Sequence, residues 1–220
     1  MEATAVQASG RQVQVSGRDV TLEGFLAVPE NAQGVVVFAH GSGSGRFSPR
    51  NNYVAGVLQE GGLATLLIDL LEESEADDRD KVFDIDLLAE RLRLATGWLH
   101  GEPSTRHLRV GYFGASTGAA AALQAAALEG AEIDAVVSRG GRPDLAMPYL
   151  PRVQAPVLLI VGGNDLPVIP LNEQAYAALE TTKELVIIPG ATHLFEEPGK
   201  LEEVACLARD WFQRYLVPME

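Results

Sequence analysis

Residues Arg109 to Gly118, with the alanine run Ala119 to Ala122 behind them, constrain the fold more than any other stretch. A short apolar run ends in Gly114-Ala115-Ser116-Thr117-Gly118 and passes straight into an alanine-rich segment. The spacing predicts a strand, a tight turn and a helix over 116–128. In a G-x-S-x-G turn the glycines let strand and helix approach closely while the serine hydroxyl projects outward. Ser116 is therefore a candidate nucleophile.

The rest of the chain repeats the same grammar. Apolar runs at 34–39, 63–70, 108–113, 133–138, 156–161 and 185–188 read as buried strands. Helical patterns at 48–59, 82–99, 172–179 and 201–215 fall between or after them. Ser48-Pro49 opens the first helix and Gly61-Gly62 stops it; Phe83, Leu87, Leu88, Leu92, Ala95 and Trp98 form the apolar face of the second. Residues 12–16 and 20–28 flank Ser16-Gly17-Arg18-Asp19 and predict an antiparallel hairpin at a sheet edge. Near-continuous apolar strands alternating with helices mean a mostly parallel sheet covered on both faces. The expected architecture is a three-layer α/β sandwich, one domain over 1–220, with no large cap domain.

Composition narrows the function classes. With 220 residues and 47% hydrophobic content the chain can bury a core without staples, and its one cysteine, Cys206, excludes an internal disulfide or a multi-cysteine metal site. No metal or cofactor is expected. Residues 1–10 lack the pattern of a secretory signal and no apolar run is long enough to span a membrane, so a cytoplasmic protein, monomer or homodimer, is expected. A net charge of −13 counts against nucleic acid or an anionic membrane as partner. The acidic run Glu72 to Asp80 reads as a solvated surface loop, since it lacks the alternation and glycine of a calcium loop.

In a parallel sheet, functional side chains gather past the carboxyl ends of the strands. A serine needs a base to take its proton, and the base needs an orienting carboxylate. Asp165 in Gly162-Gly163-Asn164-Asp165 and His193 in Pro189-Gly190-Ala191-Thr192-His193 each follow a later strand, giving the chain order Ser, Asp, His. Taken singly, Asp165 suits an Asn-Asp turn and His193 a loop cap. His40 is expected to hold its own loop by hydrogen bonding, whereas His100 and His107 are expected at the surface, away from the active edge. The loop His40-Gly41-Ser42-Gly43-Ser44-Gly45 is glycine-rich but lacks the G-K-[ST] ending of a phosphate cradle.

From the His40-Gly41 turn through Gly114-x-Ser116-x-Gly118 and Gly163-Asn164-Asp165 to Gly190-Ala191-Thr192-His193, the chain resembles the α/β-hydrolases, specifically their dienelactone-hydrolase-like branch. The resemblance implies Ser116 as nucleophile, His193 as general base and then acid, and Asp165 as the group that orients the imidazole. It also implies an oxyanion hole from the backbone N–H groups of Thr117 and Ser42. True dienelactone hydrolases carry cysteine at the elbow, so serine here implies ester hydrolysis with no commitment to dienelactone.

The connection 140–155 is too short for a lid, and the expected site is open, lined in part by Met147, Tyr149, Leu166 and Phe195. Arg139, with Arg142, Arg46 and Arg50 nearby in the pattern, reads either as an anion site for a substrate carboxylate or as a tie between loops. The expected activity is that of a serine carboxylesterase on small, short-chain esters. Lactones, thioesters or small peptides are alternative acyl substrates, and a non-catalytic binding domain is the alternative outside enzymes.

Overall fold

The computed structural model describes residues 10–217; the N-terminal stretch read above as lacking a signal lies, but for Gly10, outside them. Two antiparallel strands, β1 (Arg11–Ser16) and β2 (Thr21–Ala27), form the predicted edge hairpin, closed by the Gly17 amide donating to the Val20 carbonyl. Six parallel strands follow: β3 (Gly34–Ala39), β4 (Ala64–Ile68), β5 (Arg109–Ala115), β6 (Ala135–Arg139), β7 (Val157–Gly162) and β8 (Lys183–Ile188). Their order is β1-β2-β4-β3-β5-β6-β7-β8, with β2 antiparallel to β4. The chain thus moves from β3 to one side and then crosses to the other side as β5. Connections leave these adjacent strands in opposite directions, which opens a crevice beyond their carboxyl ends.

Helices cover both faces. α3 (Ile85–Gly101), α4 (Thr117–Glu129) and the 3₁₀ segment Pro143–Arg152 pack on one side, and α1 (Pro49–Glu60) and α6 (Lys200–Leu216) on the other. A four-residue helix, α2 (Arg79–Val82), precedes α3, and α5 (Ile169–Ala178) follows β7. β5 shows how the strands serve two cores: Tyr112 faces the α3–α4 side and Phe113 the α1–α6 side. The eleven residues from Thr117 to Ala127 are all buried, as expected of a helix apolar all round.

Two expectations are corrected. Phe83 is 49% exposed, because α3 begins two residues later and the aromatic ring falls before the face that packs. The acidic run is only partly a solvated loop. Within it Glu75 is buried, taking hydrogen bonds from both Nη atoms of Arg91 on α3 and from Lys81 on α2. Among the described residues, no helix is long and apolar enough to cross a membrane.

Candidate active site

Ser116 stands between β5 and α4 with φ 52° and ψ −121°, a conformation that costs a non-glycine residue energy and is held only by tight surroundings. Those surroundings are backbone. A side-chain carbon on Gly114 would lie 2.4 Å from Ala119 Cα, and one on Gly118 would lie 2.2 Å from the carbonyl oxygen of Ala39, so only glycine fits at either place. The Ser116 amide donates to the Arg139 carbonyl at 3.3 Å, and the Ser116 carbonyl accepts from Arg142 N–H at 3.0 Å.

Asp165 and His193 are brought together from two later strand ends. Asp165 is 9% exposed, and its Oδ2 lies 2.7 Å from His193 Nδ1. With Nδ1–H given to the carboxylate, Nε2 is left as the basic nitrogen. The two loops are stitched to each other: Asn164 donates from its backbone to the Ala191 carbonyl at 2.9 Å and from its side chain to the Gly190 carbonyl at 3.1 Å. Thr192 N–H is received by the Glu197 carboxylate at 3.1 Å. Gly140 links the two: it follows Arg139, whose carbonyl accepts from the Ser116 amide, and a side-chain carbon on it would stand 3.6 Å from His193 Cε1. Among the described residues, the Ser116 hydroxyl makes no hydrogen bond to His193.

The loop after β3 closes against the serine, as a carbon added at Gly41 would be 3.0 Å from Ser116 Cβ. Its geometry is set by His40, which is buried and bonded at both ring nitrogens. Nε2 accepts from Leu70 N–H at 2.9 Å, so Nδ1 carries the proton and donates to the Gly41 carbonyl at 3.0 Å. Burial pushes its pKa down, which suits a neutral ring. The two expected oxyanion donors meet here, though not as two free amides: Ser42 N–H donates to the Thr117 hydroxyl at 3.2 Å.

Beside this loop opens a cleft of about 990 Å³, lined by residues 40–50 and by Asp69, Glu72, Glu73, Ala76 and Asp77. The residues expected to line the site lie apart from this cleft, whose lining includes none of Ser116, Asp165 and His193. Phe195 is 1% exposed: its φ of 55° turns the ring into the core, where it anchors the His193 turn and offers no surface to a ligand. Met147 and Tyr149 pack half-buried against the α3–α4 core, because the 3₁₀ segment is held down on α4 and α5. Leu166, next to Asp165, is 69% exposed and does not line the cleft. Asp69 was missed, although it directly follows the carboxyl end of β4; it holds Arg46 by both backbone amide and guanidinium.

The arginines divide. Arg142 is neutralised by its neighbour Asp144 through bonds of 2.9 and 2.8 Å. Arg139 is 8% exposed and donates through Nη2 to Asn51 Oδ1 at 3.4 Å. Burial, and then the charge of Arg50, push its pKa down to about 10. His100 and His107 lie exposed beside the amino end of β5, at the opposite edge of the sheet. No group of three or more His, Cys, Asp or Glu able to hold a metal occurs among the described residues.

Comparison with known proteins gives the family. The model of the dienelactone hydrolase family matches residues 22–217. A dienelactone hydrolase structure from Anabaena variabilis is 61% identical with a TM-score of 0.92, over 96% of this chain and 99% of that one. A Pyrococcus furiosus esterase is 19% identical with a TM-score of 0.80, over 95% of this chain and 94% of that one, a likeness of fold. A Mycobacterium tuberculosis protein, provisionally named a phosphoribosyl transferase, is 56% identical over 98% of this chain and 50% of its own length. The chain thus spans about half the length of the curated relatives it matches first. With its eight-stranded sheet and its serine elbow, this chain belongs to the dienelactone hydrolase family and has the α/β-hydrolase fold.

Proposed function

We propose that the protein is a serine carboxylesterase that cleaves small, short-chain esters through an acyl-enzyme on Ser116. The observation that carries this reading is the 2.7 Å pairing of Asp165 with His193 Nδ1 at the strand ends next to the strained serine turn. His193 Nε2 takes the hydroxyl proton as Ser116 Oγ bonds to the carbonyl carbon. The same proton then passes to the departing alkoxide as the ester C–O bond breaks. Water, deprotonated by His193, attacks the acyl-enzyme and returns Ser116. The N–H of Thr117, at the amino end of α4, and that of Ser42 are the donors for the transient oxyanion. The open crevice and the lack of a capping segment over 140–155 favour soluble substrates.

A lactone is the second reading, favoured by the name of the Anabaena relative. Serine at 116 supports the ester, and comparing kcat/KM over a panel of acyl donors decides between them. The transferase name belongs to M. tuberculosis proteins about twice as long, and the residues gathered here support acyl chemistry. A fluorophosphonate probe should label the wild-type protein and leave Ser116→Ala unlabelled, and that variant should lose p-nitrophenyl acetate hydrolysis by about 10³-fold or more. Labelling that persists in Ser116→Ala would overturn the assignment of the nucleophile; a wild-type protein that stays unlabelled would favour a binding domain.

A further inference from the structure

Ser116 and His193 both bear on one turn that cannot hold itself. Residues 139–142 give Ser116 its two backbone partners, the Arg139 carbonyl at 3.3 Å and the Arg142 N–H at 3.0 Å, and a carbon on Gly140 would stand 3.1 Å from the His193 carbonyl oxygen. The middle of the turn is Gly140-Gly141, a pair with much conformational freedom to lose. Gly140 takes a φ of 51°, and Gly141 is wedged so closely that an added carbon would lie 2.0 Å from Ser138 Oγ and 2.6 Å from Ala119 Cβ. The donor to its carbonyl comes from elsewhere in the chain: Asn172 of α5 reaches it from Nδ2 at 3.1 Å.

Asn172 uses both protons of its amide here, since Nδ2 also donates to the Val168 carbonyl at 3.0 Å, one helical turn back. Val168 N–H in turn reaches the Asp165 carbonyl at 3.0 Å. A line of hydrogen bonds thus runs from the backbone of Asp165 through Asn172 to Gly141, whose neighbour Arg142 bonds Ser116. For packing alone asparagine is a poor choice at this position. It is wholly buried, its Oδ1 has no partner, and it forms helix less readily than the leucine that would fill the same space. A local rule broken in this way is expected at functional sites.

We propose that Asn172 is a positioning residue: by fixing the Gly140-Gly141 turn against α5 it holds Ser116 in register with the Asp165–His193 pair. The inference rests on the esterase reading, in which a misplacement of about 1 Å between reacting groups costs roughly 100-fold in rate. Leucine has no proton to give the turn. Serine has one, and within a helix it goes to the carbonyl four residues back, here Val168, leaving Gly141 unheld.

Asn172→Leu and Asn172→Ser should each lower kcat for p-nitrophenyl acetate roughly 10- to 100-fold, with KM within about twofold of wild type. Fluorophosphonate labelling separates positioning from a loss of folded protein: both variants should label as many sites per chain as the wild type, at a rate per site reduced by a similar factor. Fewer sites at the wild-type rate, or a wild-type rate in Asn172→Ser, would overturn the proposal, and Asn172→Ser alone decides should Asn172→Leu fail to fold. Amide exchange followed by NMR gives a reading independent of catalysis. The Ser116 and Arg142 amides should exchange roughly 3- to 10-fold faster in Asn172→Ser than in the wild type, as for loss of one neutral hydrogen bond. Unchanged exchange at both amides overturns the tie. Faster exchange there, together with a wild-type protein that resists labelling, would sink the esterase reading and leave the tie standing.

Discussion

The amide of Ser42 donates to Oγ1 of Thr117 at 3.2 Å, tying the loop after β3 to the residue that follows Ser116. While the site is empty, the threonine hydroxyl satisfies a donor that a developing oxyanion would also seek, and it pins the loop in place. Thr117→Val keeps the shape and the backbone N–H but removes the acceptor. It should lower kcat for p-nitrophenyl acetate about fivefold, the worth of one ordinary hydrogen bond, whereas Thr117→Ser should stay within about twofold of wild type. Equal rates for the two variants would show that the hydroxyl has no part in setting the loop.

Asp165→Asn should leave the fold intact and cut kcat about 10³- to 10⁴-fold. An amide in place of the carboxylate can present its N–H to Nδ1 and stabilise the wrong tautomer. Steady-state kinetics with a thermal melt alongside checks this; a loss of less than tenfold would mean that the pairing with His193 does not orient the base.

His40 is held neutral by burial, with its pKa below the ordinary 6.5. The unfolded chain therefore binds a proton more readily than the folded one below that value, and stability declines as pH falls from about 6.5 toward the lower folded pKa. His40→Phe leaves Leu70 N–H and the Gly41 carbonyl unmatched, and should cost about 1–3 kcal/mol at pH 8. Its urea-unfolding free energy should also vary less steeply with pH between 6.5 and 5 than that of the wild type. Parallel pH profiles would remove His40 as a source of acid sensitivity.

Glu75 adds a second acid limit on the same side, since its partner Arg91 also bonds the Leu70 carbonyl. The Arg91 guanidinium, against the effect of burial and with help from Lys81, holds its carboxyl at about 2 instead of 4.5. Its contribution is full above pH 4.5 and is lost as pH falls through that window toward about 2. Glu75→Gln leaves Arg91 buried without its counter-charge, and should destabilise the protein at pH 7 by about 3–5 kcal/mol. The gap from wild type should narrow below pH 4, as urea unfolding at several pH values would reveal; a constant gap would show that the ion pair is not the source.

Much of this was legible in the chain because it depends on local pattern. Strand ends follow from where apolar runs stop, so Ser116, Asp165 and His193 could be placed on one edge before any coordinates. The burial of single residues around them was not. Phe195 lies two residues past His193 and reads as cleft-lining, but a single left-handed φ sends its ring inward. Glu75 looks like any other member of its acidic run, and only the arrival of Arg91 from a helix sixteen residues on marks it as buried. Arg139 could be set at the edge from its strand, while the lack of a counter-charge depends on what α1 brings beside it. Pattern along the chain reports which face a residue occupies; what meets it there is a property of the assembled layers.

The two sides of Ser116 are built by unlike means. On one, α4 is buried from Thr117 to Ala127 among small side chains, so the serine turn is clamped by close contact that a single added methylene would disturb. On the other, residues 41–50 and 72–77 are hung from the sheet by a few ionic and hydrogen-bonded contacts: His40, Arg46 with Asp69, and Glu75 with Arg91. Tight apolar packing and a polar scaffold thus meet at one residue. On the proposed esterase reading, drift or engineering can reshape the polar wall while the serine turn keeps its register, which would give this scaffold room to change substrates without first losing its reaction.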